Sequence, residues 1–405
     1  MPIDRGVICG IAIMLILIAA LPAQARWQPD PFFISYWGGP PAEFHTRERM
    51  AEVAEWGATV VPGSEQDLEW AEDLGFKVLL QDRAFHPNAF SKPGGPEALE
   101  AVVLKHRDHP ALYGYFIVDE PNASAFPTLA KIQETIRRLD PKHIAYVNLF
   151  PNYASQQQLG TDTYQEHVER FLTEVKPDFL SYDHYIFFTE TEGPDYFYNM
   201  GIIRDAAHRH GIPWMNIIQG AAWHINVRVP NERELRFQVH TTLAYGARGI
   251  AWYVYWSRPR HFGASILPDG TRGPNWPVIQ SLNRYTQALA PTLLKLRSTG
   301  VYHVGRSLPH GAVRLPDDGA GVVRGVSGGR ALVGLFKNGR TDYVYLVNTY
   351  FTISRLYRLQ LDGPHDRVER FDGEKWAPWG APISDDGVLT TRLKAGEGVM
   401  IRVSH

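Results

Sequence analysis

Three carboxylates stand where apolar runs give way to turns: Asp119 and Glu120 in Tyr115-Phe-Ile-Val-Asp-Glu-Pro121, and Asp183 in Ser181-Tyr-Asp-His-Tyr185. Carboxyls among amides and aromatic rings suit hydrolysis of a glycosidic bond. One carboxyl protonates the leaving oxygen; a second group attacks, activates water or stabilises the oxocarbenium-like centre. Glu120 is the candidate acid, because the apolar run Phe116-Ile117-Val118 and the Pro turn can partly desolvate it. Burial and an ionised Asp119 next door both raise a carboxyl pKa. The same Asp-Glu-Pro is also a plausible helix-starting turn with acidic caps; its place at the end of a strand favours catalysis. Asp183 is the candidate nucleophile or base, with a backbone-bonded structural role as the alternative. His184, pointing opposite to Asp183 on a strand, is given no role. Trp37, Trp223, Tyr255 and Trp256 are predicted to stack on sugar, Asn148 and Gln219 to meet its hydroxyls, and Tyr36, Asp82 and Tyr185 to bind substrate, since such sites join aromatic walls to a few fixed polar groups.

These residues fall at the ends of short β-branched and aromatic runs that alternate with helical stretches. Strands are predicted at Phe32-Tyr36, Thr59-Pro62, Lys77-Gln81, Leu112-Asp119, Ile144-Leu149, Phe179-Asp183, Trp214-Gln219 and Gly249-Tyr255, and helices at Thr46-Trp56, Gly95-Arg107, Phe126-Arg138, Tyr164-Lys176, Tyr198-His210 and Glu232-Ala244. Eight such units predict a closed (β/α)₈ barrel, whose active site gathers at the C-terminal ends of the strands. A dinucleotide-type open sheet is disfavoured, because Trp37-Gly-Gly-Pro-Pro41 lacks the G-x-G-x-x-G spacing. After a helix at Val278-Leu296 come alternating stretches at Gly321-Val326, Ala331-Phe336, Tyr343-Asn348, Arg355-Gln360, Arg367-Phe371 and Gly398-Val403, the pattern of an all-β sandwich. The boundary is placed near Ser298-Gly300, giving residues 26–298 to the barrel and 299–405 to the sandwich, with a packed interface between them.

The N-terminus carries Arg5, an apolar run from Val7 to Leu21, and Ala23-Gln24-Ala25. The pattern predicts a signal peptide over residues 1–25, cleaved after Ala25, and with it a secreted or periplasmic protein without stable membrane insertion; the alternative, a retained membrane anchor, is disfavoured because the apolar run is short for a spanning helix. Cys9, the only cysteine of the 405 residues, lies inside it, so the processed chain has no thiol chemistry. With 41 Lys and Arg against 43 Asp and Glu, no basic excess favours nucleic acid. The histidine pairs His106/His109 and His208/His210 lack a third ligand at metal spacing, and no metal or other cofactor is predicted. There is no G-x-S-x-G elbow and no H-E-x-x-H motif. Carbohydrate is the predicted partner; the sequence leaves the oligomeric state open.

Tyr115-Phe-Ile-Val-Asp-Glu-Pro121 resembles the strand-four signature of clan A glycoside hydrolases, where Asn-Glu-Pro supplies the acid/base; here Asp119 replaces the Asn. The resemblance implies a barrel followed by a β domain, with Leu393-Lys-Ala-Gly-Glu-Gly-Val399 similar to the last strand of such domains. Clan A also places a nucleophilic Glu at the end of strand seven, where this chain has Gln219. The adjacent Asp119-Glu120 alternatively resembles the Asp-Glu pair of glycoside hydrolase families 20 and 123, in which the substrate's 2-acetamido group attacks while the Asp orients it. Tyr-Asp on strand six is similar to family 18, whose longer strand-four motif is absent. The missing strand-seven Glu also leaves open a non-catalytic carbohydrate-binding or envelope protein on a degenerate barrel.

Overall fold

A computed structural model describes residues 27–363, 365–380, 383 and 387–404. The predicted signal segment and Cys9 lie outside the described residues. Eight strands form one parallel sheet: β1 (Phe33–Trp37), β2 (Val60–Gly63), β3 (Lys77–Gln81), β4 (Leu112–Asp119), β5 (Ile144–Leu149), β6 (Leu180–Asp183), β7 (Trp214–Gln219) and β8 (Gly249–Tyr253). Their ladder runs β1-β8-β7-β6-β5-β4-β3-β2. Thr59 closes the gap between β1 and β2, its N–H donating to Ile34 O and its Oγ1 accepting from Ile34 N, both at 2.9 Å.

The strands read as near-continuous apolar runs because both faces are covered, as in parallel sheets generally. Phe33, Val60, Leu79, Tyr113, Ile144, Tyr146, Phe179 and Met215 fill the barrel. Trp27 packs against Tyr113 and Phe179, with ring centroids 5.6 and 5.4 Å away. Outside, the helices bury Trp56, Trp252, Leu282 and Leu289. Trp252 Nε1 donates to Asn283 Oδ1 at 2.8 Å, and Asn283 Nδ2 donates to Trp56 O at 3.0 Å, so helix Trp276–Leu293 ties the first and last units together.

The C-terminal part comprises β9 (Arg297–Val304), β10 (Val323–Ser327), β11 (Ala331–Asn338), β12 (Thr341–Asn348), β13 (Arg355–Leu361), β14 (Arg367–Phe371), β15 (Trp376–Pro378), β16 (Val388–Leu393) and β17 (Gly398–Ser404). They form two antiparallel sheets, β10-β13-β16 and β15-β14-β17-β12-β11-β9, over a core that includes Val333, Val344, Tyr357, Leu389 and Ile401. The six-stranded sheet rests on helix Glu232–Ala244: a Cβ on Gly334 would stand 2.2 Å from Ala244 O, and His240 Nδ1 meets Tyr345 OH at 2.8 Å. Leu393–Val399, predicted as a last strand, is instead the end of β16, a turn and the start of β17. Gly396 makes that turn at φ 69°.

Candidate active site

A bulge on β4 sets the site. Phe116 pairs with Tyr146 and Val118 with Val147, so Ile117 is an extra residue and Asp119 comes to lie beside Asn148 on β5. Bulges re-aim side chains in this way near functional sites. The next residue, Glu120, takes φ 45°, a left-handed conformation that a side chain with a Cβ adopts only under local constraint. Its N–H donates to Asn148 O at 2.9 Å, which holds the strained turn in place. The other non-glycine residue at positive φ among the described residues, Lys176, ends a helical segment, where such a conformation is ordinary.

Asn148 organises the carboxylates. Its Nδ2 donates to Asp119 Oδ1 at 3.0 Å and to Asp183 Oδ1 at 2.9 Å, and its Oδ1 accepts from Ser181 Oγ at 2.9 Å. Because that hydrogen is spent, Tyr146 OH must be the donor in its 2.8 Å contact with Ser181 Oγ. A one-way chain of donors therefore runs from Tyr146 through Ser181 and Asn148 to the two Asp side chains. Glu120 and Asp183 lie close enough for their carboxyls to couple, the contact favouring the proton on Asp183 and the charge on Glu120. Burial, then the charge of Asp119, raises Glu120 to about 7. Burial, then the charge of Glu120, pushes Asp183 well above the carboxylate range against the opposing Asn148 hydrogen bond. Asp119 is raised by its surroundings too, although its surface is open to the cleft, and the Asn148 bond counters that shift.

Asp119 lies at one side of a cleft of about 610 Å³ whose walls include Trp37, His45, Gln81, Phe116, Tyr253 and Arg258. Tyr185 sits against Trp223 and Tyr253, with centroids 4.6 and 5.1 Å away, and Trp37 sits edge-on to Phe116. These partly exposed rings form the aromatic wall. Two predicted stackers and one other predicted substrate contact are buried instead. Tyr36 lines the cleft floor but is 2% exposed; Tyr255 and Trp256 are 0 and 1% exposed, in the layer between barrel and helices. The strand ends at Tyr253 rather than Tyr255, so the period-two pattern stops and the chain turns outward. Asp82 is exposed, is not among the cleft residues, and accepts from Ala84 N at 2.8 Å as a turn cap. Asn148, expected to bind substrate, has its amide committed to Asp119, Asp183 and Ser181. His184 is buried, held to Asn199 Oδ1 at 2.9 Å, and burial lowers it to about 4.

Gln219 is fully buried, and every polar atom of its side chain meets backbone. Its Oε1 accepts from Ile186 N and Phe187 N at 3.2 and 2.9 Å, and its Nε2 donates to Phe187 O and Arg228 O at 3.2 and 2.9 Å. Its own backbone exchanges two hydrogen bonds with the Gln238 side chain. The expected hydroxyl partner is thus a clamp joining the loops after β6 and β7. Arg228, one end of that clamp, pairs with both oxygens of Glu234 at 2.6 and 2.7 Å.

Several residues at the site escaped sequence reasoning. Tyr253 OH stands 3.3 Å from His261 Nε2. Tyr153, 53% exposed, feels the charges of Asp183 and Glu120. His45 Nε2 lies 3.0 Å from Asp67 Oδ1, while Asp67 Oδ2 takes the N–H and hydroxyl of Ser64 at 2.7 and 3.0 Å. The Ser64-x-x-Asp67 capping spacing was readable; that its carboxylate would also hold a cleft histidine was not. Among the described residues no group of three or more His, Cys, Asp or Glu side chains has the arrangement of a metal site, and no helix is long and apolar enough to cross a membrane.

No protein-family model and no curated protein sequence matches the chain. Solved structures do. A glycoside hydrolase family 5 protein from Bacteroides vulgatus superposes with a TM-score of 0.59 at 12% identity, covering 92% of this chain and 89% of that one. Another glycoside hydrolase gives 0.58 at 14% identity, covering 92% of each. A β-galactosidase from a psychrophilic Marinomonas gives 0.52 at 10% identity, over 66% of this chain; the chain spans only 62% of that enzyme's length. At these identities the likeness is one of fold, and the first two matches extend it over nine tenths of this chain, barrel and trailing antiparallel sheets together.

Proposed function

We propose that the protein is an O-glycoside hydrolase in which Glu120 protonates the leaving glycosidic oxygen. The observation that carries this is the Glu120–Asp183 carboxyl contact at the C-terminal end of a (β/α)₈ barrel, with Glu120 raised to about 7. A general acid works best with its pKa near the operating pH, and burial with the charge of Asp119 brings Glu120 there against the opposing pull of the Asp183 contact. Glu120 is also held strained, as catalytic residues often are.

Asp183 then acts with Glu120 rather than across from it. Two carboxyls near enough to couple in this way are closer than the about 5 Å of a retaining pair or the roughly 6.5–9.5 Å of an inverting pair. Of the three carboxylates, Asp119 alone opens widely to the cleft, with one oxygen fixed by Asn148. This favours the substrate-assisted route: a 2-acetamido group attacks the anomeric carbon, Asp119 accepts its N–H, and Glu120 supplies the proton to the departing oxygen and later removes one from water. Export through the N-terminal segment would place the enzyme where polysaccharide is met, and the N-terminal residue of the processed protein tests it.

Glu120→Gln is the deciding variant. With aryl glycosides, 2-acetamido ones included, turnover should fall about 10²–10⁴-fold while the circular dichroism spectrum and melting temperature hold. Full activity in that variant refutes the assignment. Sugar binding without product release by the unaltered protein favours the non-catalytic barrel.

A further inference from the structure

One basic side chain of the cleft wall stands apart from its carboxylates. Some arginines of the barrel, such as Arg49, Arg228 and Arg272, are paired with Glu52, Glu234 and Glu55. Arg258, in the loop after β8, lines the cleft with an exposed side chain and has no carboxylate partner among the described residues. Beside it, His261 keeps Nε2 3.3 Å from Tyr253 OH and leaves Nδ1 buried without a hydrogen-bond partner. Arg258 acts electrostatically on both Tyr253 and His261, and Tyr253 also feels Asp119, Asp183 and Glu120. The unpaired guanidinium and the unpaired ring nitrogen therefore belong to the same cleft as the acid cluster.

We infer that Arg258 and His261 form a subsite for an anionic sugar, a hexuronate or a sulfate ester, bound in the same cleft as the scissile linkage. Three carboxyls make that end of the cleft hostile to an anion, so an anionic sugar needs a cation at the wall. A guanidinium matches carboxylate and sulfate geometry with two parallel N–H bonds. His261, when protonated, adds a second positive charge beside Arg258, and its buried Nδ1 becomes a donor to the ligand only once the ring turns. In the empty cleft, burial and then Arg258 lower the His261 pKa. A bound anion reverses the second effect, so anion binding should tighten as pH falls through the histidine range. Asp119, Glu120 and Asp183 are the opposing titratable groups, and their protonation over the same range acts in the same direction. About 610 Å³ leaves room for more than one sugar ring, so acid and anion need not meet on the same residue of the substrate.

The inference rests on the proposed glycosidase for its activity arm only; binding is measured first. Calorimetry with glucuronate, galacturonate and glucose 6-sulfate, against glucose and galactose, should show the anions at least tenfold tighter. Arg258→Ala should remove that preference, and Arg258→Lys should restore part of it. Stronger binding of the sulfate than of the uronates assigns the source to sulfated sugar, and the reverse assigns it to uronic acid. Equal binding of neutral and charged sugars, or a preference that survives Arg258→Ala, overturns the inference. In the activity arm, oligosaccharides alternating N-acetylhexosamine with hexuronate are compared with the same oligosaccharides after carboxyl reduction. The native-to-reduced ratio of kcat/KM should fall at least tenfold in Arg258→Ala. An unchanged ratio overturns the inference even where the glycosidase is active. Absence of any hydrolysis refutes the proposed activity and leaves the subsite to be decided by binding.

Discussion

At the end of β7, Gln219 gives its carbonyl oxygen and both amide hydrogens to the backbone of two loops. At the neighbouring end of β6, Asp183 is equally buried, but it faces a second carboxyl, whose charge raises it further. β6 and β7 are paired in register, Asp183 beside Ile217, so the contrast arises within two adjoining strands of one scaffold. A buried polar group whose hydrogen bonds are complete fixes structure. One set against a like group keeps a raised pKa, and can exchange a proton near neutrality. The strand-seven position holds the loops together, and the proposed acid function gathers on β4 to β6.

Glu120→Gln should give the largest effect, the 10²–10⁴-fold fall in turnover expected when a general acid is removed, with no loss of melting temperature because a like-charge conflict goes with it. Substituting Gln219 should act in the opposite sense, on folding. Gln219→Glu keeps two acceptor contacts but turns a charged oxygen toward Phe187 O and Arg228 O, and unpaired buried groups cost about 1–3 kcal/mol each. Chemical denaturation should show a stability loss of that order, with no gain in hydrolysis. A faster Gln219→Glu enzyme would mean that this strand end is a nucleophile position after all, and the comparison would collapse.

Asn148 links the two kinds of site, being saturated itself while holding both Asp side chains. Asn148→Ala removes a hydrogen bond that lowers Asp119 and Asp183, so both carboxyls should titrate higher. Tyr146 and Ser181 would be left with a donor aimed at a void. About a tenfold fall in kcat is expected, with the pH–rate profile displaced upward. A fall in kcat without that displacement would reduce Asn148 to packing.

Legibility in the sequence follows the same division. Strands β3, β4, β5 and β7 run where the apolar runs predict, at 77–81, 112–119, 144–149 and 214–219, because strands covered on both faces carry an unbroken signal. Glu120 was legible for the same reason, as the first polar residues after such a run. Tyr255 and Trp256 were misread because alternation was extended two residues past the true strand end. Helix Tyr164–Arg170 passes into a π-helical turn, Phe171–Val175, which a single predicted helix over 164–176 could not show. β9, β15 and β16 went unread; their edges are exposed or short, with few buried positions to mark a period. The roles of Asn148 and Gln219 were illegible because each depends on partners from other strands or loops, and on the bulge at Ile117.

The smallest expected effect tests the electrostatics alone. Glu120 is raised in the folded protein to about 7 from an ordinary 4.5, so between those values the native state binds more protons at this group than the unfolded chain does. Stability at this group is therefore greatest below 4.5, declines as pH rises through the window, and stays low above 7. Glu120→Gln, neutral throughout, should flatten that decline, and the two unfolding curves should diverge most above pH 7. Asp183 is raised in the same sense, so part of the decline persists in the variant at higher pH. Gln219→Glu sharpens the contrast: as a buried carboxyl against two carbonyl oxygens it should add a decline of its own with rising pH. If melting temperatures measured from pH 4 to 8 run parallel for Glu120→Gln and the unaltered protein, Glu120 is not raised in the folded state, and the distinction drawn between the ends of β6 and β7 fails.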